Sequence, residues 1–180
     1  MVSVSRKAWS AIEKTAVRSY YFDLTLCREF GTRQVTPFTP ALPIVYALDE
    51  ALKMIREEGL EERIQRHRTC AKAFYEAVEA LRLTPFPDKK FRSNTVIAVN
   101  VPSGVDGDEV RKVMRERYKV VISGGTGKLK GSIFRIGCMG IISEAETIST
   151  INAFENALKD VKYPVEIGAG VEAAKQVFRQ

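Results

Sequence analysis

Histidine is close to absent from this chain: His67 is the only one in 180 residues. Cysteine is scarce as well. Cys27, Cys70 and Cys138 are odd in number, far apart and form no C-x-x-C. These counts argue against a histidine-rich metal site and a disulfide framework, and they fit a reducing cytoplasm. No apolar run approaches the roughly 18 to 20 residues of a membrane span, so no membrane partner is expected. The opening MVSVSRKAWSAIEK has no apolar signal core and no small-residue cleavage site, which speaks against secretion. There is no internal repeat and no low-complexity tract.

What is present is ordinary globular material. A hydrophobic fraction of 45% and a charged fraction of 28% suffice for a sizeable core. The length suits one domain, or one domain plus a remnant of another. The net charge is +6, but basic residues alternate with acidic ones, as in RKAWSAIEK and REEGLEERIQRHR. That pattern reads as a solvated mixed-charge surface, with no basic stripe interleaved with aromatics. No nucleic-acid partner is expected. A positive field would still suit small anionic substrates.

The periodicities predict the following elements. Val2–Val4 reads as a short strand, and Ser5 caps a helix to about Lys14. Residues 15–23 show no clear period, and Asp23 caps a short helix ending near Gly31. Residues 35–40, VTPFTP, are extended, with Pro40 and Pro43 suited to the opening turn of a helix. That helix carries the apolar stripe Leu42, Val45, Leu48, Leu52 and Ile55, and Gly59 ends it. A second long helix follows from Leu60 to Leu81 on the stripe Leu60, Ile64, His67, Ala71, Phe74, Val78 and Leu81.

TPFPDKKFRS then reads as a flexible segment and TVIAVNV as the best strand. Asp106 or Gly107 starts a short helix. Residues 120–123 (VVIS) and 132–137 (SIFRIG) are two further strands. Ser143-x-x-Glu146 is a capping box that opens a helix, and GAGVEAAKQVFRQ forms the last one. The order from residue 94 onward predicts an α/β sandwich with antiparallel or mixed pairing and helices on one face.

Several residues stand out chemically. GGTGKLKG looks like a phosphate loop but fails its pattern. Ile122 stands where a glycine is needed, Leu129 where Ser or Thr is needed, and a strand follows instead of a helix. It reads as a flexible hairpin connection. Arg135 lies inside a short apolar strand. It either snorkels to pair with solvent or a surface carboxylate, or it holds an anionic ligand in its planar fork. His67 reads as a packed or interface residue, Trp9 as packing on the first helix, and the cysteines as buried small hydrophobes. Threonine hydroxyls and free N–H groups around Thr36-Pro37-Phe38-Thr39-Pro40 suit either a rigid turn or a phosphate.

VTPFTPALPIVYALDEAL at residues 35–52 and SGGTGKLKGSIFRIGCMG at 123–140 resemble the C-terminal part of class V, fold-type-I aminotransferases. VSVSRKAW, the two long helices, SNTVIAVNVP and the tail YPVEIGAGVEAAKQV follow in the order of that family, so the resemblance covers nearly the whole chain. It is similar above all to the alanine–glyoxylate and serine–pyruvate aminotransferases.

The resemblance implies a pyridoxal phosphate (PLP) enzyme acting on amino acids and keto acids. Arg135 matches the family arginine that pairs with the substrate α-carboxylate. Thr39 matches a threonine that reaches the PLP phosphate of the neighbouring subunit. Thr36 is the weaker match, because some relatives carry tyrosine there. The implied architecture is a remnant of the large domain over residues 1–40 and a small domain over 41–180.

The resemblance also implies that the PLP lysine lies upstream of Met1, because Lys7 and Lys14 come too late and sit on a surface helix. A truncated chain, one subunit of a split enzyme and a relic kept as a non-enzymatic interaction module all remain open. The expected partner is a second copy of the chain or a complementing large-domain chain.

Overall fold

The computed structural model describes residues 2–16 and 19–180. Val17 and Arg18, inside the aperiodic segment 15–23, lie outside the described residues. The chain divides into two compact units, Met1–Met54 and Ile55–Gln180.

The first unit begins with α1 (Arg6–Ile12), capped by the Ser5 hydroxyl, which accepts the Ala8 N–H at 3.2 Å. Helix α2 (Leu24–Thr32) is capped by Asp23, whose carboxylate accepts the N–H groups of Thr25 and Leu26 at 2.8 and 3.1 Å. Both starts follow from the preference of short oxygen-bearing side chains for the N-cap. Trp9 lies beneath the Arg28 guanidinium at 4.2 Å, and Arg28 also pairs with Glu13 at 2.9 Å. The strand expected at Val2–Val4 is absent: those residues pair with no other strand among the described residues. Without a neighbouring ladder an extended segment remains coil. Cys27 is exposed, against the expectation that all three cysteines are buried.

Helix α3 (Leu42–Glu58) carries the chain from the first unit into the second. Its apolar stripe is present, but the helix has no buried residue. Leu42, Val45, Leu48 and Leu52 are all exposed.

The second unit holds the core. Gly59 breaks the helical run with φ of 90°, a left-handed value that glycine adopts without a Cβ penalty. Helix α4 (Leu60–Ala80) is buried only in its C-terminal half, from Cys70 onward. The sheet has three antiparallel strands in the order β1 (Val96–Asn100), β3 (Ile133–Gly137), β2 (Ser123–Gly124). Alternation along β1 and β3 sends Ile97, Val99, Phe134 and Ile136 into the core. There they meet Phe74 of α4, Val110 and Met114 of α5 (Gly107–Glu116), and Phe154 and Leu158 of α6 (Glu144–Asp160). Phe134 and Phe154 meet edge to face at 5.3 Å. Helix α7 (Ala169–Phe178) packs along α4. Its N-terminus is capped by the buried Glu155 of α6, whose carboxylate accepts the N–H groups of Gly168 and Gly170 at 3.0 and 3.3 Å.

Two local readings are corrected. Residues 120–122 do not join the ladder, which contains only Ser123 and Gly124. The Val120 N–H is instead used on the Met114 carbonyl at the end of α5, and Ile122 turns into the core. The segment read as flexible after α4 is bonded to the outer edge of β1. Phe86 N–H donates to Ala98 at 2.9 Å, and Asn100 N–H donates to Thr84 at 2.9 Å. That pairing shields an otherwise open sheet edge. At the Ser143–Glu146 box the Glu146 carboxylate accepts the Ser143 N–H at 3.0 Å and the Ser143 hydroxyl as well.

Candidate functional site

Arg135 sits in the central strand, β3, on the face opposite the core. Its cross-strand partners are Ala98 on β1 and Ser123 on β2. Directly opposite residues share a face of the sheet. Two small side chains therefore flank the arginine. The side chain is half-buried, and its Nε donates to the Gly124 carbonyl at 2.8 Å. No carboxylate among the described residues pairs with it, and its two terminal nitrogens make no hydrogen bond there. The surface ion pair left open by the sequence is thus not formed within the described residues. A guanidinium tethered through Nε still presents its two terminal N–H edges to a planar anion.

Behind β2 lies a cleft of about 350 Å³ between the start of α5 and the glycine-rich turn. Gly107, Asp108, Arg111, Gly124 and Lys130 contribute to its wall. Arg111 and Asp108 pair at 2.5 Å. The hydrogen bond from Arg111, with its charge and more weakly that of Lys130, holds the Asp108 carboxyl below the usual range. Gly125 must be glycine: a Cβ there would stand 2.0 Å from the Leu129 carbonyl oxygen.

Thr36 and Thr39 lie together, within the first unit, at a hollow of about 480 Å³ walled by Tyr21, Phe22 and Phe38. The rings of Tyr21 and Phe38 meet at a tilt with centroids 5.1 Å apart and those of Tyr20 and Phe38 at 5.2 Å, yet Tyr20 and Phe22 are largely exposed. The Thr36 hydroxyl donates to the Phe38 carbonyl at 2.7 Å, so its proton is committed locally. Thr39 is exposed, and its hydroxyl has no partner among the described residues. The helix end beside them offers little to a phosphate. Leu42 N–H bonds Pro40, Ile44 and Val45 N–H both bond Ala41, and Pro43 has no N–H. Of the two threonines, Thr39 is the one with a free donor for an oxyanion.

The sequence did not expose a cluster around the α3–α4 break. Glu58 accepts from Arg66 Nε at 2.5 Å and from Arg63 at 2.9 Å. Arg66 also donates to the Ile142 carbonyl, and both arginines reach the Gly140 carbonyl. The loop that follows the Arg135 strand is thereby fastened to α4. The hydrogen bond from Arg66 is the main cause that lowers the Glu58 pKa to about 2. Within the run REEGLEERIQRHR, read as a solvated surface, Arg56, Glu57, Glu61, Glu62 and Arg68 are indeed exposed, while Glu58, Arg63 and Arg66 form a bonded network. His67 is a packed residue, its Nδ1 at 2.7 Å from the Arg63 carbonyl. Cys138 is buried, which raises its thiol pKa to about 11 and keeps it protonated and inert. Among the described residues no cluster of His, Cys, Asp or Glu could hold a metal ion, and no helix is long and apolar enough to cross a membrane.

Comparison with known proteins identifies the relatives of this chain. A family model described as aminotransferase class-V matches residues 19–154. An uncharacterized aminotransferase of Methanocaldococcus jannaschii is 38% identical over 98% of this chain and 46% of its own length. The serine–glyoxylate aminotransferase of Arabidopsis thaliana is 39% identical over 97% of this chain and 44% of its own. The crystal structure of pyridoxamine-pyruvate aminotransferase from Mesorhizobium loti superposes with a TM-score of 0.87 at 31% identity, over 98% of this chain and 46% of that one. The chain thus spans about half the length of these relatives. Its fold is that of a fold-type-I aminotransferase domain, and the chain belongs to the class-V aminotransferase family.

Proposed function

We propose that this chain is the substrate-holding C-terminal part of a PLP-dependent aminotransferase that moves an amino group from alanine or serine to glyoxylate or pyruvate. The observation that carries the reading is the geometry of Arg135: tethered through Nε, flanked by Ala98 and Ser123, with both terminal nitrogens unpaired among the described residues. That is a socket for one planar carboxylate, the group shared by all four of these substrates. Charge-assisted bidentate contacts fix both position and orientation of the bound acid.

Thr39 is the residue suited to donate a hydrogen bond to the cofactor phosphate of a neighbouring subunit. Thr36 stiffens the turn beside it and contributes at most an acceptor. PLP, when bound, supplies an electron sink for the carbon that loses its proton. In this reading residues 1–40 belong to the large domain and 41–180 to the small one. In the same reading neither Lys7 nor Lys14, both exposed, anchors the cofactor, and the 180 residues do not transaminate by themselves. The compartment is the cytoplasm, in keeping with three unpaired thiols.

Arg135→Ala in the active enzyme that contains this segment is expected to raise KM for the amino acid about a hundredfold, the loss of two charge-assisted hydrogen bonds. An unchanged KM would remove Arg135 from the site. Incubation of the 180-residue chain with PLP and borohydride is expected to leave no stoichiometric lysine label by mass spectrometry. A single labelled lysine would show that the chain anchors the cofactor by itself.

The uncovered stripe of α3 supports a partnered state, either a second copy or a complementing large-domain chain. It is also compatible with a non-enzymatic interaction module. The two differ in whether Arg135 substitutions affect transamination or leave only association behind.

A further inference from the structure

Arg135 depends on one tether, the Gly124 carbonyl, and that carbonyl lies on an edge strand only two residues long. So short a ladder is a weak support, and the structure shows what stiffens it. On the core side of β2 the Arg111 guanidinium lies flat against the Gly124 α-carbon. A Cβ at Gly124 would stand 3.2 Å from Arg111 Nε, 3.3 Å from Cζ and 3.5 Å from Nη2. Gly124 does not have the left-handed φ found at Gly127 and Gly131, so its backbone conformation does not demand glycine. The space is tight, because the arginine fills the place a side chain would take, and a methyl there would push the guanidinium back by a few tenths of an ångström. Arg111 is itself held by Asp108 at 2.5 Å, on a helix anchored in the core by Val110 and Met114.

We propose that Arg111 and Gly124 are positioning residues for Arg135: Arg111 backs the Gly124 peptide from the core side, and the Gly124 carbonyl fixes the Arg135 guanidinium on the opposite face. The functional part of this inference rests on the reading of Arg135 as the carboxylate holder. The tether itself does not. Without Arg111 that peptide keeps the hydrogen bond from the Gly125 N–H to the Ile133 carbonyl at 3.1 Å but loses its backing, so the fixed point of the guanidinium loosens while the group remains charged. An error of about 1 Å in such a group is enough to cost as much as ~10²-fold in a positioned reaction.

The test uses the Nε–H signal of Arg135 in the 180-residue chain, read by ¹⁵N–¹H correlation and assigned by its disappearance in Arg135→Lys. In the wild type this proton is expected to exchange slowly with solvent. Arg111→Ala is expected to speed its exchange by about tenfold, the scale of one weakened hydrogen bond. Gly124→Ala, which pushes the Arg111 guanidinium back, is expected to act in the same direction with a smaller effect. The double variant should be no worse than Arg111→Ala alone, because the methyl then occupies space the arginine has left. Arg111 is a helix side chain outside the core, so its variant remains informative even where Gly124→Ala does not fold.

In the active enzyme Arg111→Ala should raise KM for the amino acid about tenfold with kcat within about twofold, and Arg111→Lys should restore part of it. Exchange of the Arg135 proton that stays at the wild-type rate in Arg111→Ala overturns the proposal. An unchanged KM in Arg135→Lys instead overturns the role of Arg135 in substrate binding. The exchange rates then still decide the tether.

Discussion

Helices α3 and α4 are consecutive, of similar length and both apolar along one stripe, yet they end up in opposite environments. From Cys70 onward α4 is buried against the sheet, α6 and α7, with Phe74 only 1% exposed. Along α3 nothing is buried, and Leu42 and Val45 remain 50% and 54% exposed. A stripe at helical spacing tells that a face needs a partner; it does not tell whether that partner lies in the same 180 residues. For α4 it does. For α3 the described residues provide none.

The largest expected effect lies on the covered side of this comparison. Phe74→Ala should destabilise the chain by about 3–5 kcal/mol, read as a shift of the denaturation midpoint, because a cavity replaces a large ring in a closed core. A loss under about 1 kcal/mol would mean that α4 is not the structural centre.

Next comes the ion cluster where the two helices meet. Glu58 titrates at 4.5 when unperturbed and at about 2 in the fold. Between these values the unfolded chain binds the extra proton, so stability is complete above pH 4.5 and is lost as pH falls toward 2. Glu58→Gln should flatten that part of the stability–pH curve. An unaltered curve would show that the Arg63 and Arg66 contacts do not form in solution.

The smallest effect on folding belongs to α3. Leu52→Ser should change the stability of the chain by no more than about 0.5 kcal/mol, as for a surface residue. The same change should weaken self-association seen by light scattering. A wild-type chain that is monomeric at all concentrations would break the comparison, because α3 would then tolerate exposure without a partner.

Much of the fold was legible in the residues. Ser5, Asp23, Asp106 and the Ser143–Glu146 box mark helix starts by local chemistry, and all four are found as caps. β1 and β3 were visible from β-branched alternation. The failures have a common physical origin in long-range competition for backbone groups. Val120–Ile122 has strand composition, but its first N–H is taken by α5. TPFPDKKFRS has loop composition, but part of it is held by the edge of β1. The Glu58–Arg66 network spans a helix break, so no helical spacing announces it.

Within the candidate site, Arg135 was conspicuous because a cation inside an apolar strand is rare. Its tether was not, because a carbonyl has no signature in the sequence. Nor was Arg111, because nothing in its spacing singles it out among the charged residues of the chain. The resemblance already set Thr36 below Thr39, and the structure adds that Thr36 is bonded to Phe38 while Thr39 is unpartnered among the described residues.

The most direct test of the central claim is a pair of substrates in the active enzyme containing this segment: an amino acid, and the amine that lacks its carboxylate. For Arg135→Ala, kcat/KM should fall about a hundredfold for the amino acid and stay within about twofold for the amine, since only the former has a group for the guanidinium to hold. An equal fall for both, or no fall for either, would contradict the assignment of Arg135 as the residue that grips the substrate carboxylate.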